Sequence, residues 1–171
     1  MVVVAGLAAL ILVSFYHDVK QSKIPNRYTV AGIAAGVGYN AATGGWDGLA
    51  GSLLGFAAGF GIMLALYLFG AVGAGDVKLF GAIGAMAGGE FVINGALNSI
   101  LFAAVIGLVL IAVRKQFVPR LRSTGALLFN LLLFRDMKGI VSYKKSAATF
   151  PFMYAVLPAM IFTATYCNPS L

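Results

Sequence analysis

The chain has 171 residues, of which 61% are hydrophobic and 10% charged, a composition that excludes an ordinary soluble domain and indicates an integral membrane protein. The net charge of +7 would suggest nucleic acid as a partner in a soluble protein, but in a membrane protein the basic residues report topology, so we predict no nucleic-acid partner. A single cysteine, Cys167, and a single histidine, His17, exclude an intrachain disulfide and a Cys-x-x-Cys zinc site, so no metal or cofactor is predicted.

Six apolar runs of helical length predict an all-α, polytopic membrane protein with six transmembrane helices in one domain over residues 1–171. They are Val2 to about Tyr16, Tyr28 to Ala42, Leu49 to Phe69, Val77 to about Ile93, Ala96 to Val113, and Ala147 to Tyr166. The third run is the clearest, because 21 residues extend about 31 Å at about 1.5 Å per residue, which matches the hydrocarbon core.

The first run is short for a span, and a cleaved signal peptide is the alternative interpretation. In a signal peptide the positive charges precede the apolar region, whereas here Lys20, Lys23 and Arg27 follow it. We therefore predict a membrane helix that continues past Phe15 toward Asp18, which leaves this acid near the membrane boundary.

All twelve basic residues fall on one side of the six-helix arrangement. Three lie between the first and second helices, Lys78 lies at the start of the fourth, and eight lie between the fifth and sixth. The positive-inside rule makes this side cytoplasmic and places both chain termini on the non-cytoplasmic side. The cytoplasmic loop at about 114–146 contains the apolar stretch Ala126 to Phe134 between basic residues, a pattern that suggests a helix lying in the membrane interface.

Glycines recur at four-residue intervals at Gly51, Gly55 and Gly59, and again at Gly32 and Gly36. This spacing puts small residues on one helix face and allows neighbouring backbones to approach closely. We interpret these glycines as packing positions rather than chemical ones.

Two of the five acidic residues occupy unusual positions. Asp18 ends the first helix and Asp76 begins the fourth, so the predicted topology brings both to the cytoplasmic edge. The others have ordinary explanations as solvated turn residues or as a surface charge among basic neighbours: Asp47, Glu90 and Asp136. The structural alternative for Asp18 and Asp76 is that they pair with Lys20 and Lys78 at the interface.

Two carboxylates held close together can hydrolyse an amide without a metal. The ionised one takes a proton from the attacking water, and the protonated one hydrogen-bonds the substrate carbonyl. Like charges a few ångströms apart cannot both stay ionised, so the pair shares one proton. A helix N-terminus favours the ionised form of Asp76 and burial opposes it, a balance that the sequence leaves open.

The sequence around the second acid is Gly73-Ala74-Gly75-Asp76-Val77-Lys78. Gly73 and Gly75 give the backbone access to positive φ and allow an extended substrate to come close. His17 adjoins Asp18, but neighbouring helical residues point about 100° apart, so we interpret it as a lone interfacial histidine. Neither Gly-x-Ser-x-Gly nor His-Glu-x-x-His occurs, which argues against serine and zinc intramembrane proteases.

These residues resemble the type IV prepilin peptidases, membrane aspartic proteases with a Gly-x-Gly-Asp motif. The stretch Gly73 to Leu79 looks like the second aspartate motif of that family, and Asp18 followed by Lys23-Ile24-Pro25-Asn26 looks like the first. Pro151 to Ala155 and Pro158 are similar to its C-terminal helix. The resemblance covers most of the chain and preserves the six-span layout.

The resemblance implies an aspartic endopeptidase of a prokaryotic cytoplasmic (inner) membrane that removes the short leader of prepilin-like proteins on the cytoplasmic side. It implies three groups of site residues: the catalytic acids Asp18 and Asp76, the motif glycines Gly73 and Gly75, and the supporting positions Pro25, Asn26 and Lys78. Members that also N-methylate their product carry a cytoplasmic domain with paired Cys-x-x-Cys. This chain resembles instead the small peptidase-only branch, similar to enzymes of tight-adherence (Flp-type) pilus systems, so methylation is not expected.

The expected partners are prepilin-like substrates and membrane lipids, and the oligomeric state is left open. Two alternatives for the function also stay open. An archaeal preflagellin peptidase would use the same two aspartates. A cation or proton transporter subunit would carry acids near the membrane midplane and often a repeated half, whereas Asp18 and Asp76 both lie at one edge and no repeat is evident.

Overall fold

The computed structural model describes residues 2–21, 25–113 and 152–167, all of them helical or in short connections. Five helices lie in these ranges: α1 (Val2–Gln21), α2 (Asn26–Leu68), α3 (Ala74–Ala87), α4 (Gly89–Val113) and α5 (Met153–Tyr166). Three described segments are long and apolar enough to cross a membrane, namely Val2–Lys20, Asn26–Leu68 and Gly89–Leu110. The all-α prediction is confirmed. The predicted interfacial helix, Asp136 and the start of the predicted sixth helix lie outside the described residues.

The helix boundaries confirm the predicted extension of the first helix and correct the predicted ends of others. The first helix does continue past Phe15, since α1 ends at Gln21. The fourth predicted helix is too long, because the chain leaves the helix at Gly88, where φ is 87°. Glycine adopts this left-handed backbone without steric cost and therefore often ends helices. The next helix accordingly begins at Gly89 rather than at Ala96.

The second and third predicted helices form the single stretch α2, which is interrupted at Gly45 (φ 57°, ψ −134°). Asn40 Nδ2 and Ser52 Oγ both donate to the Ala85 carbonyl oxygen, at 3.0 and 2.7 Å. In a straight helix these twelve residues would extend about 18 Å, so one acceptor could not serve both side chains. The chain therefore reverses direction at Gly45, and the segments before and after it both pack against α3.

The centre of the structure is α3, in which every residue from Asp76 to Ala87 except Lys78 is buried. Its backbone contacts α2 along a glycine seam that consists of Gly36, Gly55, Gly59 and Gly84. A Cβ at Gly36 would lie 2.8 Å from the Ala85 carbonyl, and one at Gly55 or Gly84 would overlap the facing backbone. The packing role predicted for Gly36, Gly55 and Gly59 is confirmed.

The helix α1 buries one stripe of side chains at helical spacing: Leu7, Leu10, Ile11, Ser14 and Asp18. A second contact joins α4 to α5, where Asn98 Nδ2 donates to Thr163 Oγ1 at 2.9 Å. The described residues up to 103 and from 152 to 167 form one compact unit, and the contacts described here lie within it. The end of α4, from residue 104 to 113, belongs to a second unit.

Candidate active site

Asp76 lies in the first turn of α3 and caps that helix. Its Oδ2 accepts a hydrogen bond from the Gly73 N–H at 3.0 Å. A carboxylate that reaches back in this way satisfies a backbone donor that helix geometry leaves unpaired. Although Asp76 stands at a helix end, only 6% of its surface is exposed.

The two motif glycines do not use the conformational freedom expected of them. Gly73 is extended, with φ −85° and ψ 157°, and among the glycines that the structure describes positive φ occurs only at Gly45, Gly70 and Gly88. The prediction of a positive-φ role was wrong for both glycines. Gly73 needs only an extended backbone to donate its hydrogen bond, and Gly75 lies within the helix α3. The small size of Gly73 matters instead, since a Cβ there would lie 3.3 Å from Asp76 Oδ2.

Asp18 ends the buried stripe of α1, with 8% of its surface exposed. Its Oδ2 accepts a hydrogen bond from the Met153 N–H at 3.3 Å. Met153 is the first residue of α5, and first-turn N–H groups have no partner in their own helix. Sequence reasoning missed this contact, although Pro151 marks the approach of a helix start, where such donors are available.

The charge of Asp18 acts on the carboxyl group of Asp76. Asp76 lies outside the three segments of spanning length. The pKa of its carboxyl is raised to about 6, mainly by burial, with the hydrogen bond from Gly73 lowering this pKa and the charge of Asp18 raising it. A carboxylate acts on the pKa of another only when the two are near each other. The fold therefore brings the end of α1 toward the start of α3.

Two of the three supporting positions, Asn26 and Lys78, meet at a contact between α2 and α3. Lys78 Nζ donates a hydrogen bond to Asn26 Oδ1 at 2.9 Å. Asn26 is the first residue of α2, and Pro25 precedes it as the N-cap with φ −64°. Residues that are 52 positions apart in the chain thus join the beginning of α2 to the helix that carries Asp76.

The sequence model of the type IV leader peptidase family matches residues 5–112. The chain belongs to this family. The match includes Asp18, the stretch from Pro25 to Asn26 and the whole of Gly73 to Leu79. The protein is accordingly a membrane peptidase, and the resemblance predicted from the aspartate motifs is confirmed. No curated protein and no solved structure matches the chain.

The lysine pairing considered as an alternative for the two acids of this leader peptidase does not occur. Lys78 Nζ is bound to Asn26, and Lys20 Nζ donates to Tyr16 OH at 3.3 Å. Within residues 2–21, 25–113 and 152–167, the hydrogen bonds that the two carboxylates accept come from backbone N–H groups. Backbone donors hold a carboxylate in place without supplying a full positive charge.

His17 does not act as a partner of Asp18 in this leader peptidase. Its Nδ1–H donates to the Val13 carbonyl at 2.9 Å, and its ring lies against Tyr28 with centroids 5.0 Å apart. The described ranges contain no group of three or more His, Cys, Asp or Glu residues able to hold a metal ion.

Proposed function

We propose that this leader peptidase is an aspartic endopeptidase in which Asp18 and Asp76 act on one water molecule and one peptide bond. The observation that carries the proposal is the burial of two carboxylates from different helices, of which Asp18 contributes to the raised pKa of Asp76. Burying two acids near each other is costly unless one holds a proton. A shared proton is what hydrolysis by a pair of carboxyl groups requires.

The proposed roles follow from the different surroundings of the two acids. Asp76, with its pKa raised to about 6, holds the proton and donates a hydrogen bond to the carbonyl oxygen of the substrate. Asp18, whose Oδ2 accepts a hydrogen bond from the Met153 N–H, takes a proton from water. The water oxygen attacks the carbonyl carbon, and collapse of the tetrahedral intermediate breaks the C–N bond as a proton passes to the leaving amine.

The proposed substrates are prepilin-like proteins whose short leader is removed at the cytoplasmic face of a prokaryotic inner membrane. Family membership supports this substrate class. The reversal of α2 at Gly45 supports six spans with both termini outside, because it turns one apolar stretch into two neighbouring helices. Residues 1–171 are proposed to form one peptidase domain with a cytoplasmic loop at 114–146, and the activity is proposed to need no metal and to leave the new N-terminus unmethylated.

The test is cleavage of a prepilin co-expressed with the wild type, with Asp18→Asn and with Asp76→Asn, followed by mass spectrometry of the pilin. Asp47→Asn is the matched control, since Asp47 is an exposed carboxylate of the same chain. We expect cleavage by the wild type and by Asp47→Asn, and its loss in both other variants while the protein remains in the membrane. Retained cleavage in either variant would refute the two-acid mechanism.

Mass spectrometry also separates the finer alternatives. Cleavage of an archaellin precursor in preference to a bacterial prepilin would assign the enzyme to the preflagellin branch. Failure of the wild type to cut either substrate, together with proton or cation flux in vesicles that requires Asp18, would favour the transporter.

A further inference from the structure

An apolar groove lies between α1 and α5. Its walls are side chains from residues 4–12 of α1 and 157–164 of α5, and Phe91 of α4 also lines it. Every lining side chain is hydrophobic, and the volume of the groove is about 260 Å³. Leu7, Phe91 and Met160 are buried, whereas Leu12 and Ile161 are 59% and 62% exposed. Among the described residues the groove therefore has a buried floor and an open rim.

The groove begins close to the candidate active site. The helices α1 and α5 meet where the Met153 N–H donates to Asp18 Oδ2. The α5 wall starts at Leu157, four residues after Met153, and the α1 wall ends at Leu12, six residues before Asp18. At about 1.5 Å per residue these separations are about 6 and 9 Å. The groove thus continues from Asp18 along the two helices that fix its carboxylate.

The position of the groove along α1 limits what can fill it. The whole α1 wall lies inside Val2–Lys20, a segment long and apolar enough to cross a membrane. Asp18 stands near the end of the same segment. Hydrocarbon admits apolar side chains and helical backbone, and it excludes polar or extended chain. A polypeptide that passes the two acids and enters the groove must therefore be an apolar helix.

The size and spacing of the groove fit one face of such a helix. Eight residues of helix occupy roughly 1,000 Å³, since they form a cylinder about 12 Å long and about 10 to 12 Å wide. The groove has about a quarter of this volume, so it accepts side chains rather than a whole helix. Its walls repeat every four residues, at Val4, Ala8 and Leu12 and at Leu157 and Ile161. Rows with this spacing are the ridges between which another helix packs.

We propose that this groove seats the apolar helix of the substrate, the segment that directly follows the cut bond. The inference rests on the proposed function, which puts that bond at Asp18 and Asp76. A substrate helix covers the first 6 to 9 Å with about four to six residues and the groove with about eight more. Substrate residues at about positions 4 to 14 after the cut bond therefore contact α1 and α5, and their side chains determine which apolar segments are accepted.

Photo-crosslinking tests the occupant directly. A photoreactive amino acid would replace Ala8 in the inactive Asp76→Asn variant, and the residues linked after irradiation with prepilin would be mapped by mass spectrometry. Ala9 provides the matched control, because it is an exposed neighbour on the same helix that does not line the groove. We expect the probe at Ala8 to link to prepilin about 4 to 14 residues after the cut bond, and the probe at Ala9 to link there much less.

Other occupants would give other products. Links from Ala8 to lipid alone, to a second copy of this chain or to residues 114–150 of the same chain would overturn the proposal. Equal links to prepilin from Ala8 and Ala9 would also overturn it, since they would show that the substrate does not distinguish the groove from the adjacent surface.

The second measurement fills the groove with a side chain of the enzyme itself. Ala8→Phe and Ala164→Phe do so from opposite walls, and prepilin cleavage by purified protein would be measured for kcat and KM. We expect KM to rise about 10-fold to 100-fold, the loss expected when one large apolar side chain is no longer buried. We expect kcat to stay unchanged, because the groove binds the ground state and the transition state equally. Ala9→Phe should cleave like the wild type.

The two measurements separate failure of this inference from failure of the proposed function. Links at the expected positions in a prepilin that the wild type never cuts would uphold the groove and refute the peptidase mechanism. Wild-type KM in both Ala8→Phe and Ala164→Phe would refute the groove and leave the peptidase mechanism standing. A fall in kcat alone would refute it as well, since the effect would then lie at the acids.

Discussion

Asp18 and Asp76 are the same residue type, yet different kinds of structure hold them. Asp76 accepts a hydrogen bond from Gly73, three residues before it, so its carboxylate is placed by the turn that starts its own helix. Asp18 accepts one from Met153, 135 positions further along the chain, so its carboxylate is placed by the docking of another helix. One acid is held by local structure and the other by tertiary structure.

This difference indicates how each acid can be disturbed. A change in the turn around Gly73 acts on Asp76 directly, whereas Asp18 responds to changes in how α1 and α5 pack. The placement of α3 as a whole is a third factor, because Asp76 moves with it. Variants that change one factor at a time separate them, and the largest effect on stability is expected from a change in the placement of α3.

Placement of α3 depends on the glycine seam, which Gly84→Val tests. The new side chain would overlap the Gly55 backbone, and backbone cannot move aside as a flexible side chain can, so we expect a loss of at least about 3 kcal/mol in stability. Melting in detergent and cleavage of prepilin would both be measured. Gly38→Val is the control, since nothing lies within 4 Å of a Cβ at Gly38. Equal stability of the two variants would refute the close contact.

Burial of the Asp76 carboxylate predicts a stability that depends on pH. Its pKa rises from 3.8 to about 6 on folding, so the native state binds the proton more tightly than the unfolded state. Stability is therefore lost as pH rises from about 4 to 6, by about 3 kcal/mol at about 1.4 kcal/mol per unit of pKa. Asp76→Asn removes this penalty and keeps an oxygen for the Gly73 N–H.

We therefore expect Asp76→Asn to be inactive but more stable than the wild type at pH 7.5, with a difference that shrinks toward pH 4. Detergent melting across this pH range would measure it. Asp47→Asn, at an exposed site, should show no such trend. A variant that is less stable than the wild type at pH 7.5 would contradict the burial of a charged Asp76.

The contact between Lys78 and Asn26 tests whether α2 helps to position the helix that bears Asp76. Lys78→Met keeps the length of the side chain and removes the hydrogen bond, which is worth about 1 kcal/mol. We expect a loss of that size in melting experiments and a several-fold lower cleavage rate. Asn26→Ala should add little to Lys78→Met, because both remove the same bond. Fully additive losses would show that the contact does not couple the two helices.

The smallest effect is expected at Gly73. An alanine Cβ would lie 3.3 Å from Asp76 Oδ2, and alanine is a poorer N-cap residue than glycine, so we expect a cost of about 0.5 kcal/mol. Cleavage should fall more than stability, because the carboxylate itself is displaced. Gly61→Ala, where a Cβ meets nothing within 4 Å, is the control. A wild-type cleavage rate for Gly73→Ala would show that the turn does not control Asp76.

Much of the site could be predicted because its signals are local. An acid that follows an apolar run, as Asp18 does, or precedes one, as Asp76 does, can be located by reading along the chain. The supporting residues Asn26 and Lys78 could be named from the aspartate motifs, but the bond between them could not, because hydrogen bonding across 52 positions leaves no periodic pattern. The four-residue glycine spacing predicted close packing without indicating the partner helix.

The sequence by itself determined the all-helical class, the family and the two acids, since hydropathy, periodicity and short motifs depend on neighbouring residues. Only the tertiary structure decided that the two segments of α2 both pack against α3 and that Met153 supports Asp18. These features arise when distant segments pack together, and burial and hydrogen bonding are then set by the neighbours that each residue acquires.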